Sequence, residues 1–272
     1  MGSKKIVILG TLDTKGEHLD YLRQKIRQRG HEPILIDLSM GKTPDIKPDI
    51  GAEEVLSLVG KDLREIHNSK DRFAVTEAMT EGAKLLVLRL LSEKKVDGVI
   101  ALGGVTMANL SARVMQVLPF GLPKVIGVPA AMPAYNPQWF DATDVVVMQG
   151  IMEFAGMNDF VKIVIEQLAG IICGMVETER TYGNLSLPYP SVAVTEFGLC
   201  PNCGREVELL LEKKGYHVIT FHAQGISERA MDKLIGEGYF DGLIDIAPAG
   251  LIETALKGNR AATFERLDEP MK

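Results

Sequence analysis

The feature that most limits this chain is a set of short, unbroken apolar runs that stop at a glycine or proline. They are KIVILGT at 5–11, GVIALGG at 98–104 and KVIGVP at 124–129. Runs of this length without polar alternation mark strands buried on both faces, as in parallel sheets covered by helices on either side. The segments between them agree. Leu19, Leu22 and Ile26 recur at helical spacing before EPILIDL at 32–38, which completes a strand, helix, strand unit. Residues 41–69, rich in Pro, Gly and charge, read as an excursion with at most a short helix near 53–59, able to form a flap. Val75, Met79, Ala83, Leu86 and Leu90 then mark a long amphipathic helix leading into GVIALGG. A helix over about 106–117, the KVIGVP strand, a Pro-rich stretch, DVVVMQ at 144–149 and an apolar helix ending near Glu177 follow.

The expected fold is α/β, with two Rossmann-like lobes built on mainly parallel sheets. The first lobe spans 1–177, TERTYGNLSLPYP at 178–190 reads as a linker, and a smaller α/β lobe spans 191–272. In that second lobe SVAVTEF, a helix from about Gly204, YHVITFH, a helix around Glu228 to Ile235, and GLIDIAP continue the alternation. The two lobes share no residue-level repeat.

Composition removes several classes of function. With 30 basic and 36 acidic residues, a formal charge of -6 and no basic run, nothing could track a polyphosphate backbone, so nucleic acid is not an expected partner. No apolar run approaches the roughly 18 residues of a membrane span, and the first strand begins too early for a secretory leader. Three cysteines in 272 residues do not make a disulfide framework, which fits a reducing, cytoplasmic compartment.

In an open parallel sheet, ligands collect beyond the carboxyl ends of the strands, where loops become helix N-termini. GTLDTKGEH at 10–18 offers the hydroxyls of Thr11 and Thr14, the carboxylate of Asp13 and the ammonium of Lys15 there. GGVTMAN at 103–109 offers Gly103 and Gly104, whose missing side chains admit close backbone approach. A helix N-terminus behind them favours an anion, and a phosphate is its simplest occupant. Thr106 and Asn109 can add hydrogen bonds, and Asp37 ends the second strand where a ribose hydroxyl is often held. The competing reading of the glycine pair is a turn and nothing more. GKT at 41–43 is no P-loop, because Ile36 stands where the motif needs glycine and Pro44 follows at once; no GxGxxG occurs either.

In the second lobe CPNC, Cys200 to Cys203, lies between a strand and a helix, the setting in which a thiolate is stabilised by N-terminal amides. With His222 at a neighbouring strand end and Gly225 after it, this rim reads as a substrate pocket first and a redox pair second. The plain alternative for His222 is a loop histidine with no task. No metal site is expected, since Cys173 falls in an apolar helix and reads as core. His18, His31, His67 and His217 read as surface or capping residues. Tyr135, Trp139 and Phe140 in the Pro-rich loop read as packing between lobes or subunits, with cover for a base as the alternative.

Taken in order, GTLDTKGEHLDYLR, VDGVIALGG, LPFGLPKVIGVPA, FAGMNDF with AGIICGMVE, and GYHVITFHAQG followed by AMDKLIGEGYFDGLIDI resemble one family over essentially the whole chain. It is the broad, mostly uncharacterised family of the ATP-binding N-terminal domain of the tomato mosaic virus resistance protein. The resemblance implies two Rossmann-like lobes, ATP bound in the first, and a homodimer. Thr11, Asp13, Thr14 and Lys15 match the family's first loop, and Gly103 and Gly104 its glycine-rich loop. The chain departs from the family at Val105, Met107 and Ala108, where Ser, Gly and Thr are usual, and at VPAAMPAY, LCPNCG, AQGISE and IAPAG. Family chains also continue beyond ALKGNRAATFERLDEPMK, so the second lobe is expected to be naturally short or a fragment.

The leading expectation is therefore an ATP- or nucleotide-binding protein acting as an enzyme on a small, anionic metabolite in the cleft between the lobes. Asp13 would meet Mg²⁺ through water, and Lys15 would neutralise phosphate charge. No catalytic residue can be named from the sequence. The alternatives are a ligand-sensing or interaction domain without catalysis, and a lyase or hydrolase using Cys200, Cys203 and His222.

Overall fold

The computed structural model describes residues 2–42, 44–131, 134–179 and 185–271, without the side chains of His67 and Asn136. The chain forms two compact units, Met1–Tyr182 and Gly183–Lys272. Their boundary falls within the stretch read as a linker, of which residues 180–184 lie outside the described residues.

In the first unit β1 (Lys5–Gly10), β2 (Glu32–Asp37), β3 (Gly98–Leu102), β4 (Lys124–Val128) and β5 (Val146–Gln149) make one parallel sheet in the order β2-β1-β3-β4-β5. The unbroken apolar runs have a direct cause. Val7 and Leu9 of β1 enter a core on one face of the sheet, while Ile6 and Ile8 enter a second core on the other. Leu12, Leu19, Leu22 and Ile26 of α1 (Leu12–Gln28) join the second core with the apolar stripe of α7 (Asp159–Val176). The first core is covered by α4 (Arg72–Ser92) and α5 (Val105–Gln116). Caps mark two of these helices: Asp71 accepts from the Ala74 amide and Asn158 from the Val161 amide.

Two expectations need correction here. The excursion at 41–69 is no free-standing flap, because α2 (Ala52–Ser57) buries Val55 and Leu56 in the first core and is followed by α3 (Leu63–Asn68). Gly82 of α4 permits this, since a Cβ there would lie 2.4 Å from the Val55 carbonyl oxygen. The Pro-rich loop contains α6 (Asn136–Phe140), and its Trp139 is fully buried in the first unit's own core, with Tyr135 stacked on it. That indole is therefore core, not packing between lobes or subunits. Met132 and Pro133 of that loop lie outside the described residues.

The second unit repeats the principle on a smaller scale. Here β6 (Ser191–Glu196), β7 (His217–His222) and β8 (Gly242–Asp245) form a parallel sheet in the order β7-β6-β8, with α8 (Pro201–Lys213), α9 (Ile226–Gly236) and α10 (Ala249–Leu256) after successive strands. Among the described residues no helix is long and apolar enough to cross a membrane.

Candidate functional site

The strand order puts β1 between β2 and β3, so the chain winds to one side of β1 and then to the other. The loops after β1 and β3 flank that reversal, the position at which doubly wound sheets hold ligands. Both glycine-bearing loops singled out above therefore lie at one edge, but their two helix starts are built differently.

The start of α1 is closed. The Leu12 amide donates to Asp37 Oδ1 at 3.1 Å and the Asp13 amide to Ser39 Oγ at 3.0 Å. The amides of Thr14 and Lys15 both reach the Thr11 carbonyl, at 3.3 and 2.9 Å. The first-turn amides of Leu12, Asp13 and Thr14 are thus spent inside the fold. Asp37 is buried, and besides Leu12 its Oδ1 receives the amide of Ser39 at 2.9 Å and the Ser39 hydroxyl. Burial pushes its carboxyl above the usual range despite these donors. Asp37 acts first as a cap supplied to α1 by the neighbouring strand. Its carboxylate also borders a cavity of about 330 Å³ with Ser39, Lys42 and Lys47.

The side chains of the first loop are partly committed as well. Thr11 and Thr14 pair their hydroxyls at 2.9 Å, and Lys15 donates from Nζ to the Phe154 carbonyl at 2.5 Å. Asp13 lies against Gly41, where a Cβ would sit 2.6 Å from its Oδ2. A second cavity, of about 590 Å³, opens beside it between Asp13, Thr14, Glu17, His18, Lys42 and Asp45.

The start of α5 is open. Gly103 donates its amide to the Gly127 carbonyl at 3.2 Å, and a Cβ on it would meet Met107 Cβ at 2.6 Å, so this glycine serves the turn itself. Gly104 is the N-cap, extended at φ -73 and ψ -174; nothing lies within 4 Å of where its Cβ would be, and no side chain caps the helix. The amides of the first turn, at Val105, Thr106 and Met107, are those a helix leaves without internal partners. Thr106 is exposed beside them, whereas Asn109 accepts a hydrogen bond from the buried Trp139 indole and so anchors α6. Of the four residues read from this loop, Thr106 is exposed and Gly104 leaves the helix start uncapped, whereas Gly103 serves the turn and Asn109 anchors α6.

The histidine reading is corrected at two positions. His18 is buried, with Nε2 at 3.1 Å from the Gly156 carbonyl, which only accepts, so Nε2 carries the proton. Burial holds its pKa below the ordinary value. His31 is buried too, between the Lys4 amide at Nδ1, 3.4 Å, and Glu177 at Nε2, 3.0 Å. His217 is half-buried, and the His67 side chain lies outside the described residues.

In the second unit Cys200 is the N-cap of α8, its thiol donating to the Phe197 carbonyl at 3.3 Å; both it and the exposed Cys203 are free. His222 is exposed and meets Phe197 edge-on, ring centroids 6.0 Å apart, so of the rim residues Cys200 and His222 share Phe197 as a neighbour. Gly225 does not belong to an open pocket. It has φ +53, its amide donates to Glu228 at 2.9 Å, and a Cβ there would lie 2.4 Å from the Ala261 carbonyl oxygen.

Beside this rim lies a buried charge cluster that the sequence did not announce: Glu228, Asp232 and Asp245 around Arg266. Asp245 ends β8, the one hint available in advance; nothing in the local sequence marks Arg266. Burial pushes the half-buried Asp232 up from 3.8 to about 6, with Arg266 and the Leu267 amide opposing it. A carboxyl whose folded pKa lies above its unfolded one stabilises the fold while protonated, so this contribution is lost as pH rises from about 4 to about 6. Asp232→Asn is thus expected to exceed the wild type in stability by roughly 1 kcal/mol at about pH 7.5, allowing for solvent screening, and to match it near pH 4. Urea melts at the two pH values measure this difference.

Residues 4–181 match the N-terminal domain, and residues 189–272 the C-terminal domain, of the uncharacterised protein family UPF0261. A UPF0261 protein of Clostridium tetani is 30% identical over 266 residues, covering 98% of this chain and 65% of that protein. The ToMV resistance protein Tm-1(GCR237) of Solanum lycopersicum is 25% identical over 289 residues, 98% of this chain and 38% of that protein. The chain thus spans under two thirds of these relatives' length. Among solved structures, UDP-N-acetylglucosamine 2-epimerase from Rickettsia bellii overlaps 96% of this chain and 78% of its own at 14% identity. Its TM-score of 0.33 is too low to bear on the site.

Proposed function

The chain belongs to the uncharacterised family UPF0261, and from that premise we propose that its first unit binds a nucleotide, ATP being the form the family resemblance implies, with a phosphate on the first turn of α5. One observation carries this reading: of the two helix starts at the strand-order reversal, α1 has its amides closed by Asp37, Ser39 and Thr11, whereas Gly104 leaves those of α5 uncapped. Free amides and the helix dipole together favour an anion there. Thr106 and the hydroxyls of Thr11 and Thr14 supply neighbouring donors. Asp37 ends β2, two strand spacings or roughly 10 Å from the end of β3, a span that suits a ribose and its phosphates.

Asp13 is the carboxylate we assign to a Mg²⁺ ion carried in with the phosphates, met through water. Lys15 reaches a phosphate only by leaving the Phe154 carbonyl, an exchange of a neutral acceptor for a charged one. The polar cavity beside Asp13, with His18, Lys42 and Asp45, is the space we assign to a small metabolite on which the nucleotide would act. An enzyme of this kind, working as a homodimer in the cytoplasm, remains the reading we favour over a ligand sensor.

The test is the melting temperature with and without nucleotide. Ligand at a hundred times its Kd stabilises the folded state by about 2.7 kcal/mol, which for a unit of this size is a rise of roughly 5–10 °C. No rise with millimolar ATP or ADP overturns the nucleotide reading; a rise with pyrophosphate alone reduces it to anion binding.

A further inference from the structure

One irregular segment, residues 258–267, touches the chain that follows each of β6, β7 and β8. After β6, the guanidinium of Arg260 lies over the Phe197 ring, 5.7 Å from its centroid. After β7, the Ala261 carbonyl presses on Gly225 and accepts from Arg229 Nη1 at 2.9 Å. After β8, the Ala262 amide donates to the Gly250 carbonyl at 3.1 Å. The segment then turns inward at Arg266, whose side chain is 0% exposed.

Arg266 enters the reversal point of the second sheet. β6 lies between β7 and β8, so the paired strand ends Thr195 and Asp245 occupy the place that β1 and β3 occupy in the first unit. Arg266 Nη1 is 2.6 Å from Asp245 Oδ2, and its Nε is 2.8 Å from Glu228 Oε1. Both carboxylates are held in place. Asp245 accepts the Thr195 hydroxyl at 2.5 Å, and Glu228, itself 0% exposed, accepts the amides of Gly225 at 2.9 Å and Gly250 at 3.3 Å. Two fixed carboxylates placed around a planar fork recognise a guanidinium and not a point cation.

The fit of Arg266 is incomplete. Among the described residues its Nη2 and Asp232 Oδ1, both buried, find no hydrogen-bond partner, and its Nε lies within ion-pair distance of Glu228 without hydrogen-bond geometry. An occupant that leaves a buried donor and a buried acceptor unused can be displaced by one that satisfies them. A buried ion cluster also stabilises less than apolar packing would, so it is weakly explained as a device for stability.

We propose that residues 258–267 form a lid over a guanidinium-binding site at the reversal point of the second sheet, with Arg266 as its occupant when closed. The external ligand is a small molecule carrying a guanidinium, of the arginine or agmatine class. The site lies in the second unit and stands apart from the nucleotide reading of the first.

The experiment uses the intact chain and has two arms. In the wild type, agmatine at tens of millimolar should speed hydrogen exchange in the peptide covering 258–267 by about tenfold as the lid opens. Exchange in the first unit should stay unchanged, and lysine at equal ionic strength should have no effect. Unchanged exchange in the lid overturns the proposal. In Arg266→Gln, which keeps much of the side-chain stem, and in Arg266→Ala, methylguanidinium should bind and raise the melting temperature, and adding Asp245→Asn should abolish that rise. Failure of both variants to respond, or an equal response to tetramethylammonium, overturns the guanidinium assignment.

Discussion

A chain carrying Gly104→Asp is expected to melt at or slightly above the wild-type temperature and to lose its response to ATP. The backbone at Gly104 is extended, and a Cβ there meets nothing within 4 Å, so the fold accepts a side chain without strain. An aspartate at the N-cap satisfies a first-turn amide and complements the helix dipole, worth about 0.5–1 kcal/mol over glycine. The same carboxylate stands where we place the phosphate, so it takes the amides and repels the ligand. Loss of those bonds together with like-charge repulsion is roughly 3 kcal/mol or more, at least about a hundredfold in affinity. Melts of both proteins with and without ATP separate the two effects. A variant that keeps the wild-type rise removes the phosphate from this turn. Gly103→Ala is the contrasting substitution, because its Cβ would collide with Met107 Cβ at 2.6 Å and damage the turn whether or not ligand binds.

The largest loss of stability is expected from Asp144→Ala. Lys124 opens β4 and its side chain is fully buried. Its ammonium donates to the carbonyls of Pro119 at 2.8 Å and Leu122 at 3.0 Å, and to Asp144 Oδ1 at 2.7 Å. Asp144 Oδ2 also receives the Gly121 amide at 2.8 Å. Removing the carboxylate takes a charged acceptor from a fully buried ammonium, a loss of about 3 kcal/mol. Lys124→Met should cost less, roughly 1–2 kcal/mol, since Asp144 is one-third exposed and can turn to water. Denaturant melts rank the two, and the reverse order would show that the ion pair is not what holds this end of β4.

The sheets were legible because their strands are. KIVILGT, EPILIDL, GVIALGG and KVIGVP announce themselves by being apolar throughout, and β1 to β4 occupy them to within a residue or two. Of the short helices, α2 falls where one was expected, near 53–59, but α6 and α10 were not legible. At α6, with Pro137 in its first turn and only five residues, no helical period has room to appear. Its position is fixed by tertiary contacts, Trp139 entering the core and its indole meeting Asn109. α10 begins inside IAPAG, at Ala249 directly after Pro248, and its Gly250 packs against Glu228.

The site was legible in outline and not in role. That Gly104 and Thr11 lie at one sheet edge follows from strand counting alone. Whether a helix start is free depends on residues far along the chain, as with Asp37 and Ser39 closing α1, and no local motif encodes that. The same holds for Gly103, whose amide is taken by the distant Gly127 carbonyl. Charge partners separated by tens of residues, Lys124 with Asp144 and Arg266 with Asp245, leave no periodic trace either.

The borrowed cap on α1 also bears on how the chain assembles. Its opening turn takes Asp37 and Ser39 from the end of β2, so the helix lacks its own terminus until residue 39 has left the ribosome and docked. A truncation before that residue is therefore expected to leave α1 frayed at the end beside the strand-order reversal.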